Sequence, residues 1–542
     1  MPDQPAPRQF RSQVAVMAVA FLLSAAAVVL HFLRFRAAGA LWRDEASSVA
    51  LATSSSMREV WRLLAHDPFP VLFPVVLRTW SGLGLAHDDS GFRLYGMIVG
   101  LTLLGAFWFA SVAMARFPPL LALALAALCS TVVSSSAAIR AYGLGSTLIV
   151  VTLALVWRYV ARPTPARFTL GTLVATSSVQ VLFHNAVLVL SVCVAGAIVV
   201  FRQRGVRGAR EVAAMGVLPA LSLLPYVPQI TKAQEWLVIE QTGFNLPTAW
   251  THCSTALGSD YRFAIWVWVL LALVGLSAAL LRVARVRSET TSREGPSVQL
   301  FAGATLVLGI ISFLVFLKAA KLPTQPWYYL PLIALVAACL DPLVQSIHKR
   351  AVYVAAVTAA VMAAAGLPKA IANVRVRQTN LDLIAQRLAA SAHPGDLILV
   401  DPWYCGITFA RYYRGKAAWI TLPPLSDYRL HRYDLLKERL AAREPVKDVL
   451  RGIEATLQSG HRVWVVGALR LPPRPDADVP DPPSAPNATW GWADVPYSLI
   501  WNAQAGLSIA RHAARVETVR IPTVSRINPY EDLPVYIAWG RH

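Results

Sequence analysis

Eleven long apolar stretches occupy the first two-thirds of this chain, and they leave it few ways to fold. Backbone amides inside hydrocarbon have no water to bond, so a spanning segment satisfies them internally as a helix. The runs lie near 14–33, 92–115, 119–137, 143–157, 168–183, 186–201, 212–228, 263–281, 299–317, 327–345 and 351–367. The first follows Arg8 and Arg11 as a secretory leader does. It lacks a small-residue cleavage site before the next polar loop, and ten further runs follow, so it reads as an uncleaved first helix. Charged residues make up 15% of the chain and hydrophobic ones 56%, with a mean hydropathy of +0.49. Soluble domains carry about 25% charged residues. The expectation is a polytopic α-helical membrane protein with about eleven spans.

A net charge of +20 and a pI near 10.1 raise the question of nucleic acid. The distribution answers it. The basic residues gather as Arg158, Arg162 and Arg167; Arg202, Arg204, Arg207 and Arg210; Arg282, Arg285, Arg287 and Arg293; and Lys349 with Arg350. Every group falls on the same side of the spans, which is the positive-inside pattern of a multi-pass protein facing anionic lipid. Membrane lipid is the expected partner and nucleic acid is not. The pattern predicts a multi-pass membrane protein with a cytoplasmic N-terminus. Loops 34–91, 138–142, 229–262 and 318–326, and everything beyond 367, are then external. The five cysteines form no CxxC pair, and neither GxGxxG nor Walker A is present. No cofactor is expected, with a divalent metal left open.

The long first external loop is not uniformly polar. Residues 57–65 read as an amphipathic helix, with Val60, Leu63 and Leu64 opposite Arg58, Glu59 and Arg62. Residues 69–80 are apolar but interrupted by Pro70 and Pro74 after Pro68, too short to span and suited to the interface or a re-entrant segment. Beyond 369 the character changes. Helical periodicity at 381–392, a turn at Gly395-Asp396 and a buried strand at 397–400 are followed by a second helix and strand at 449–458 and 463–466. Further strands fit 516–521 and 535–539, and the proline- and aspartate-rich 471–486 reads as an exposed loop. A transmembrane module, 1–368, is thus expected ahead of a soluble α/β domain, 369–542.

Asp44 and Glu45 stand just outside the first span, where charge is costly and therefore a functional candidate. Asp44 either caps a helix starting near Ala46 or serves as a general base that takes a proton from an attacking hydroxyl, with Glu45 supporting it. His66 and Asp67 orient a substrate or close a turn. Arg140, in a very short external connection, opposes the topology signal carried by the other loop arginines. It is placed either to grip a phosphate bidentately or to snorkel. His184 and Asn185 form a tight hairpin, as a capping pair or a contact. Tyr226, Lys318, Lys321, Trp327, Tyr328 and Tyr329 share this boundary, where aromatics usually form a belt and Lys321 adds positive charge to a phosphate site.

Asp44-Glu45-Ala46, the His-x-Pro-x-x-x-x-Phe stretch from His66 to Phe73, and Arg140-x-Tyr142-x-Leu144 opening the fourth span resemble the GT-C class of membrane glycosyltransferases. The protein O-mannosyltransferase and aminoarabinose transferase group is the most similar, over roughly residues 10–345. The resemblance implies inverting transfer of a sugar from a polyprenyl-phosphate carrier to an acceptor hydroxyl at the outer face. Asp44 matches the class's catalytic aspartate and Arg140 the arginine that holds the carrier phosphate. Tyr142, His66, Asp67 and His184 become substrate-binding candidates, and the acceptor (protein, lipid or polysaccharide) stays open. Two departures stand out. His66-Asp67-Pro68 replaces the usual His-Pro-Pro, and Gln325-Pro326-Trp327-Tyr328-Tyr329 opens the tenth span where an Arg-Tyr pair is common. The tail resembles bacterial periplasmic tails at Gly395-Asp396 and Tyr412-Tyr413. The alternatives are a lipid-linked sugar transporter or a non-catalytic scaffold of the same fold.

Overall fold

The apolar runs form helices, and the tail forms a small sheet with helices packed against it. The computed structural model describes all residues except 1–6, 68, 237–244, 259–262, 289–296, 322–323, 346, 348–349, 473, 475, 489–491 and 541–542. Pro68, Arg293 and Lys349 lie outside the described residues, as do the side chains of Arg8, Arg11, Arg282, Arg285 and Arg287.

In chain order the helices of the first part are α1 Pro7–Ala37, α2 Arg43–Ala52, α3 Met57–Leu63, α4 Leu72–Gly82, α5 Asp89–Met114, α6 Leu120–Ala122, α7 Ser130–Ser136, α8 Ala141–Ala161, α9 Pro165–Val181 and α10 Asn185–Leu221. They continue as α11 Val227–Trp236, α12 Leu246–Gly258, α13 Ala264–Ser288, α14 Val298–Ala320, α15 Leu330–Gln345 and α16 Ala351–Val374. Then follow α17 Leu381–Ser391, β1 Leu397–Asp401, α18 Cys405–Tyr412, β2 Ala418–Thr421, α19 Tyr433–Ala441, α20 Lys447–Gln458, β3 Arg462–Gly467, α21 Val495–His512, β4 Ala513–Val519 and β5 Val535–Gly540. Two compact units divide the chain: 1–37, 69–227 and 242–375 in one, and 38–68, 228–241 and 376–542 in the other.

In the first unit, eight helices among the described residues are long and apolar enough to cross a membrane. One of these is a hairpin. Inside α10, Gly205 adopts φ 64° and ψ −155°, a conformation only glycine takes without strain, and the chain reverses there. A Cβ on Gly196 would lie 3.0 Å from Val212, and one on Gly216 would lie 3.0 Å from Cys193, so the two arms run antiparallel with glycines at their contact. The arms are the expected runs 186–201 and 212–228. α9, with 17 residues, sits at the lower limit for a span.

The expected run 119–137 is not one helix. α6 passes into a π turn over Leu123–Ala127, Cys129 is extended (φ −73°, ψ 123°), and α7 resumes at Ser130. A tertiary cap holds its start: the buried Asp341 carboxylate accepts from Leu121 N at 3.0 Å, from Ala122 N at 2.9 Å and from Gln345 Nε2 at 2.6 Å. The first amides of any helix lack an internal partner, and here an acid about 220 positions away in sequence supplies it. α4 has 11 residues and cannot span; it buries Phe73, Pro74 and Leu77.

In the second unit the sheet order is β2-β1-β3-β5-β4. β1 pairs in parallel with β2 and β3, while β5 is antiparallel to β3 and to β4. Alternation along β1 sends Ile398 and Val400 to one core and Leu399 to the other. Val449, Ile453 and Leu457, spaced by one helical turn along α20, fill the second core. The expected helices and strands of the tail all occur. β2, α18, α19 and α21 were not anticipated.

Candidate functional site

Within the second unit, the 41–46 segment is tied to the tail. Tyr412 Oη accepts from Leu41 N at 2.7 Å, and Ala38 O accepts from Gln378 N at 2.9 Å. α2 begins at Arg43 with Trp42 as its N-cap, not near Ala46, so Asp44 lies in the first turn and is not the capping residue. Two other carboxylates take the helix-start amides. Glu45 Oε2 accepts from Trp42 N at 3.4 Å, and Glu531 Oε1 accepts from Arg43 N at 2.8 Å. Both acids are fully buried, and both suit the positive end of a helix. Thr408 Oγ1 also donates to Glu531, at 3.1 and 3.2 Å. Burial pushes the Glu531 carboxyl up to about 7, against the opposing hydrogen bonds.

Asp44 faces a guanidinium and an imidazole. Its Oδ1 accepts from Arg43 Nε at 3.3 Å and stands 3.5 Å from His431 Nε2. The Arg43 guanidinium lies 4.2 Å over the Tyr404 ring. Its neighbour His431 is stacked on Tyr433, with centroids 6.1 Å apart and planes at 17°, and meets the edge of Trp403. The loop bearing His431 is held by Arg432, which forks onto Asp434 at 2.9 and 2.7 Å and reaches Asp427 at 2.8 Å. Bidentate pairs of this kind fix geometry as well as charge. Asp434 in turn stands 3.8 Å from His66 Nδ1. Burial pulls the His66 imidazole below its ordinary value, against Asp434. Asp67 is buried beside it in sequence.

Within the first unit, Arg140 is the N-cap of α8 and is 8% exposed. Its guanidinium carbon lies 4.3 Å over the Phe69 ring, a cation–π contact worth on the order of 2 kcal/mol when desolvated. Phe69 meets Tyr142 edge-on at 5.4 Å, Tyr142 stacks on Tyr328 at 5.8 Å, and Tyr328 meets His184 at 5.6 Å. His184 packs on Phe313 and Phe316. Asn185 ties the hairpin down by donating to Gly145 O and Ser178 Oγ, each at 2.9 Å. Tyr226 Oη donates to Gln180 and accepts from Val71 N. Five separate connections thus contribute to these contacts in this unit.

The candidates therefore form two groups. Asp44, Glu45, His66 and Asp67 belong to the second unit, and Arg140, Tyr142 and His184 to the first. Lys321 joins neither set of contacts. It is exposed and closes α14 in a left-handed conformation, φ 50°. Sequence reading missed His431, Glu531, Tyr404 and Asp434. Asp427, Arg429, Arg432 and Asp434 within eight residues were the available signal, since dense opposite charge marks a pinned loop.

No family model and no curated protein matches the sequence. Solved structures do match. ArnT from Cupriavidus metallidurans bound to undecaprenyl phosphate is 12% identical, covering 95% of this chain and 97% of that chain with a TM-score of 0.48. An Archaeoglobus fulgidus oligosaccharyltransferase in complex with Zn and sulfate is 9% identical, over 82% and 67%, with a TM-score of 0.48. The arabinosyltransferase EmbB from Mycobacterium smegmatis is 15% identical, over 64% and 32%, with a TM-score of 0.36. These are likenesses of overall architecture at low identity, and they assign no residue a role.

Proposed function

We propose that the chain is an inverting GT-C-class glycosyltransferase that moves a sugar from a polyprenyl-phosphate carrier to an acceptor hydroxyl at the outer face of the inner membrane. The observation that carries this reading is Arg140: a buried guanidinium on Phe69, at the start of α8, within an aromatic cluster drawn from four connections. A prenyl chain lying among spans would leave its phosphate at such a boundary. Asp44 takes the proton of the acceptor hydroxyl, the acceptor oxygen forms its bond to the anomeric carbon, and the carbon–oxygen bond to phosphate breaks. Arg140 stabilises the negative charge that collects on the departing lipid phosphate. Attack from the face opposite the leaving group inverts the anomeric centre.

A transporter would require polar groups along a path through the spans. The buried Asp341 is engaged as the cap of α6 and in a bond to Gln345, which disfavours that rival. The test is binding of undecaprenyl phosphate to the purified full chain. Arg140→Ala is expected to weaken it strongly and Arg140→Lys partly, since a point charge cannot replace a planar fork. Unchanged binding in Arg140→Ala would move the phosphate site elsewhere.

A further inference from the structure

Arg140 marks one end of α8; a second cluster occupies the other. Tyr159 lies nineteen residues along, about 28 Å at 1.5 Å per residue. There the end of α8, the start of α9 and the turn of the α10 hairpin border an open cavity of about 580 Å³, lined among others by Tyr159, Pro163, Phe168, Arg204, Arg207 and Glu211. Glu211 is shared: it accepts from Tyr159 Oη at 2.8 Å, stands 3.9 Å from Arg204 Nη1 and 3.6 Å from Arg207 Nε. Arg204 also lies 5.6 Å over the Tyr159 ring, and its Nη2 is buried with no hydrogen-bond partner among the described residues. Two guanidiniums against one carboxylate leave a local excess of one positive charge. The exposed part of the Arg204 side chain, 27% accessible, and the exposed Arg207 present this charge to the cavity. The arginine turn and the proline- and phenylalanine-lined wall together suit a ligand with an anionic head and an apolar body.

We infer that this cavity binds the phosphate of an anionic phospholipid. It lies in the arginine-rich loops, which the positive-inside pattern assigns to the anionic leaflet. The site is independent of the transfer reaction proposed above and shares no residue with it.

The test uses the purified full chain in zwitterionic detergent, titrated with phosphatidylglycerol and followed by native mass spectrometry and thermal shift. One retained phosphatidylglycerol is expected, with Arg204→Gln weakening retention about tenfold, as for loss of a charge-assisted hydrogen bond. Glu211→Gln, which removes the internal competitor, is expected to strengthen it. Arg207→Gln changes a side chain 94% exposed and so tests the charge without disturbing packing; it is expected to weaken retention less than Arg204→Gln. Equal protection by inorganic phosphate would overturn the lipid assignment. Retention unchanged in both arginine variants, or equal retention of phosphatidylethanolamine, would overturn the site.

Discussion

His431 Nε2 stands 3.5 Å from Asp44 Oδ1, although 387 positions of sequence separate the two residues. Both side chains are largely enclosed, at 14% and 18% exposure, which strengthens their interaction relative to a surface pair. The stacked Tyr433 and the Arg432 fork hold the imidazole in place. If Asp44 is the base, His431 is a positioning residue for it. His431→Gln is expected to lower kcat about tenfold and to reshape the acid limb of the pH profile, with KM for the lipid donor unchanged. An unaltered kcat and pH profile would reduce the pair to packing.

Glu531 gives the second unit a pH dependence of defined sign. Its folded value, about 7, lies above the ordinary 4.5, so the folded protein holds a proton that the unfolded chain has released. The associated stability is fully present below about pH 4.5 and is lost as pH rises through about 7. The loss is on the order of 3 kcal/mol at most. Unfolding followed from pH 5 to pH 8 should show declining stability, and Glu531→Gln should make that decline shallower, the remainder coming from Asp401, which burial also pushes up to about 7. Stability rising over the same interval would contradict the assignment.

Asp341 is the acceptor for two helix-start amides and a glutamine, so Asp341→Ala should destabilise the full chain by several kcal/mol through orphaned buried donors. Asp341→Asn keeps one carbonyl oxygen and should cost less. Thermal inactivation in detergent distinguishes them, and equal, negligible effects would remove the cap from the account of the broken segment.

Much of this fold is legible in the sequence because hydrocarbon and sheet cores impose short-range periodicity. The α10 hairpin is readable from its paired apolar arms and from Gly205. The α20 stripe of Val449, Ile453 and Leu457 is readable from its spacing. What escaped is tertiary. The start of α2 lies at Arg43 because Glu531, nearly 490 positions away, accepts that amide, and no local propensity encodes such a partner. The cap at the start of α6 depends equally on a distant partner, Asp341. His431 carries no motif; it matters because the 427–434 loop is folded back towards Asp44 by ion pairs.

Orientation is tested by labelling. Cysteines introduced at Arg162 and Asp476, both exposed, should react from opposite sides, Arg162→Cys from the cytoplasm and Asp476→Cys from the periplasm. Reaction of Asp476→Cys from the cytoplasm would reverse the proposed topology and the side of the chemistry.

The central claim is that Asp44 is a base. Asparagine keeps the shape of aspartate in the first turn of α2, at a dipole cost of about 0.3–1 kcal/mol, but takes no proton at neutral pH. Glu45 is buried and accepts from the Trp42 amide, a bond that glutamine can also make. The most direct measurement is sugar transfer or release from a panel of undecaprenyl-phosphate-linked sugars by folded wild type, Asp44→Asn and Glu45→Gln. Asp44→Asn is expected to lose about 10²–10⁴-fold in turnover, with Glu45→Gln close to wild type. Near-wild-type turnover by Asp44→Asn would contradict the base assignment.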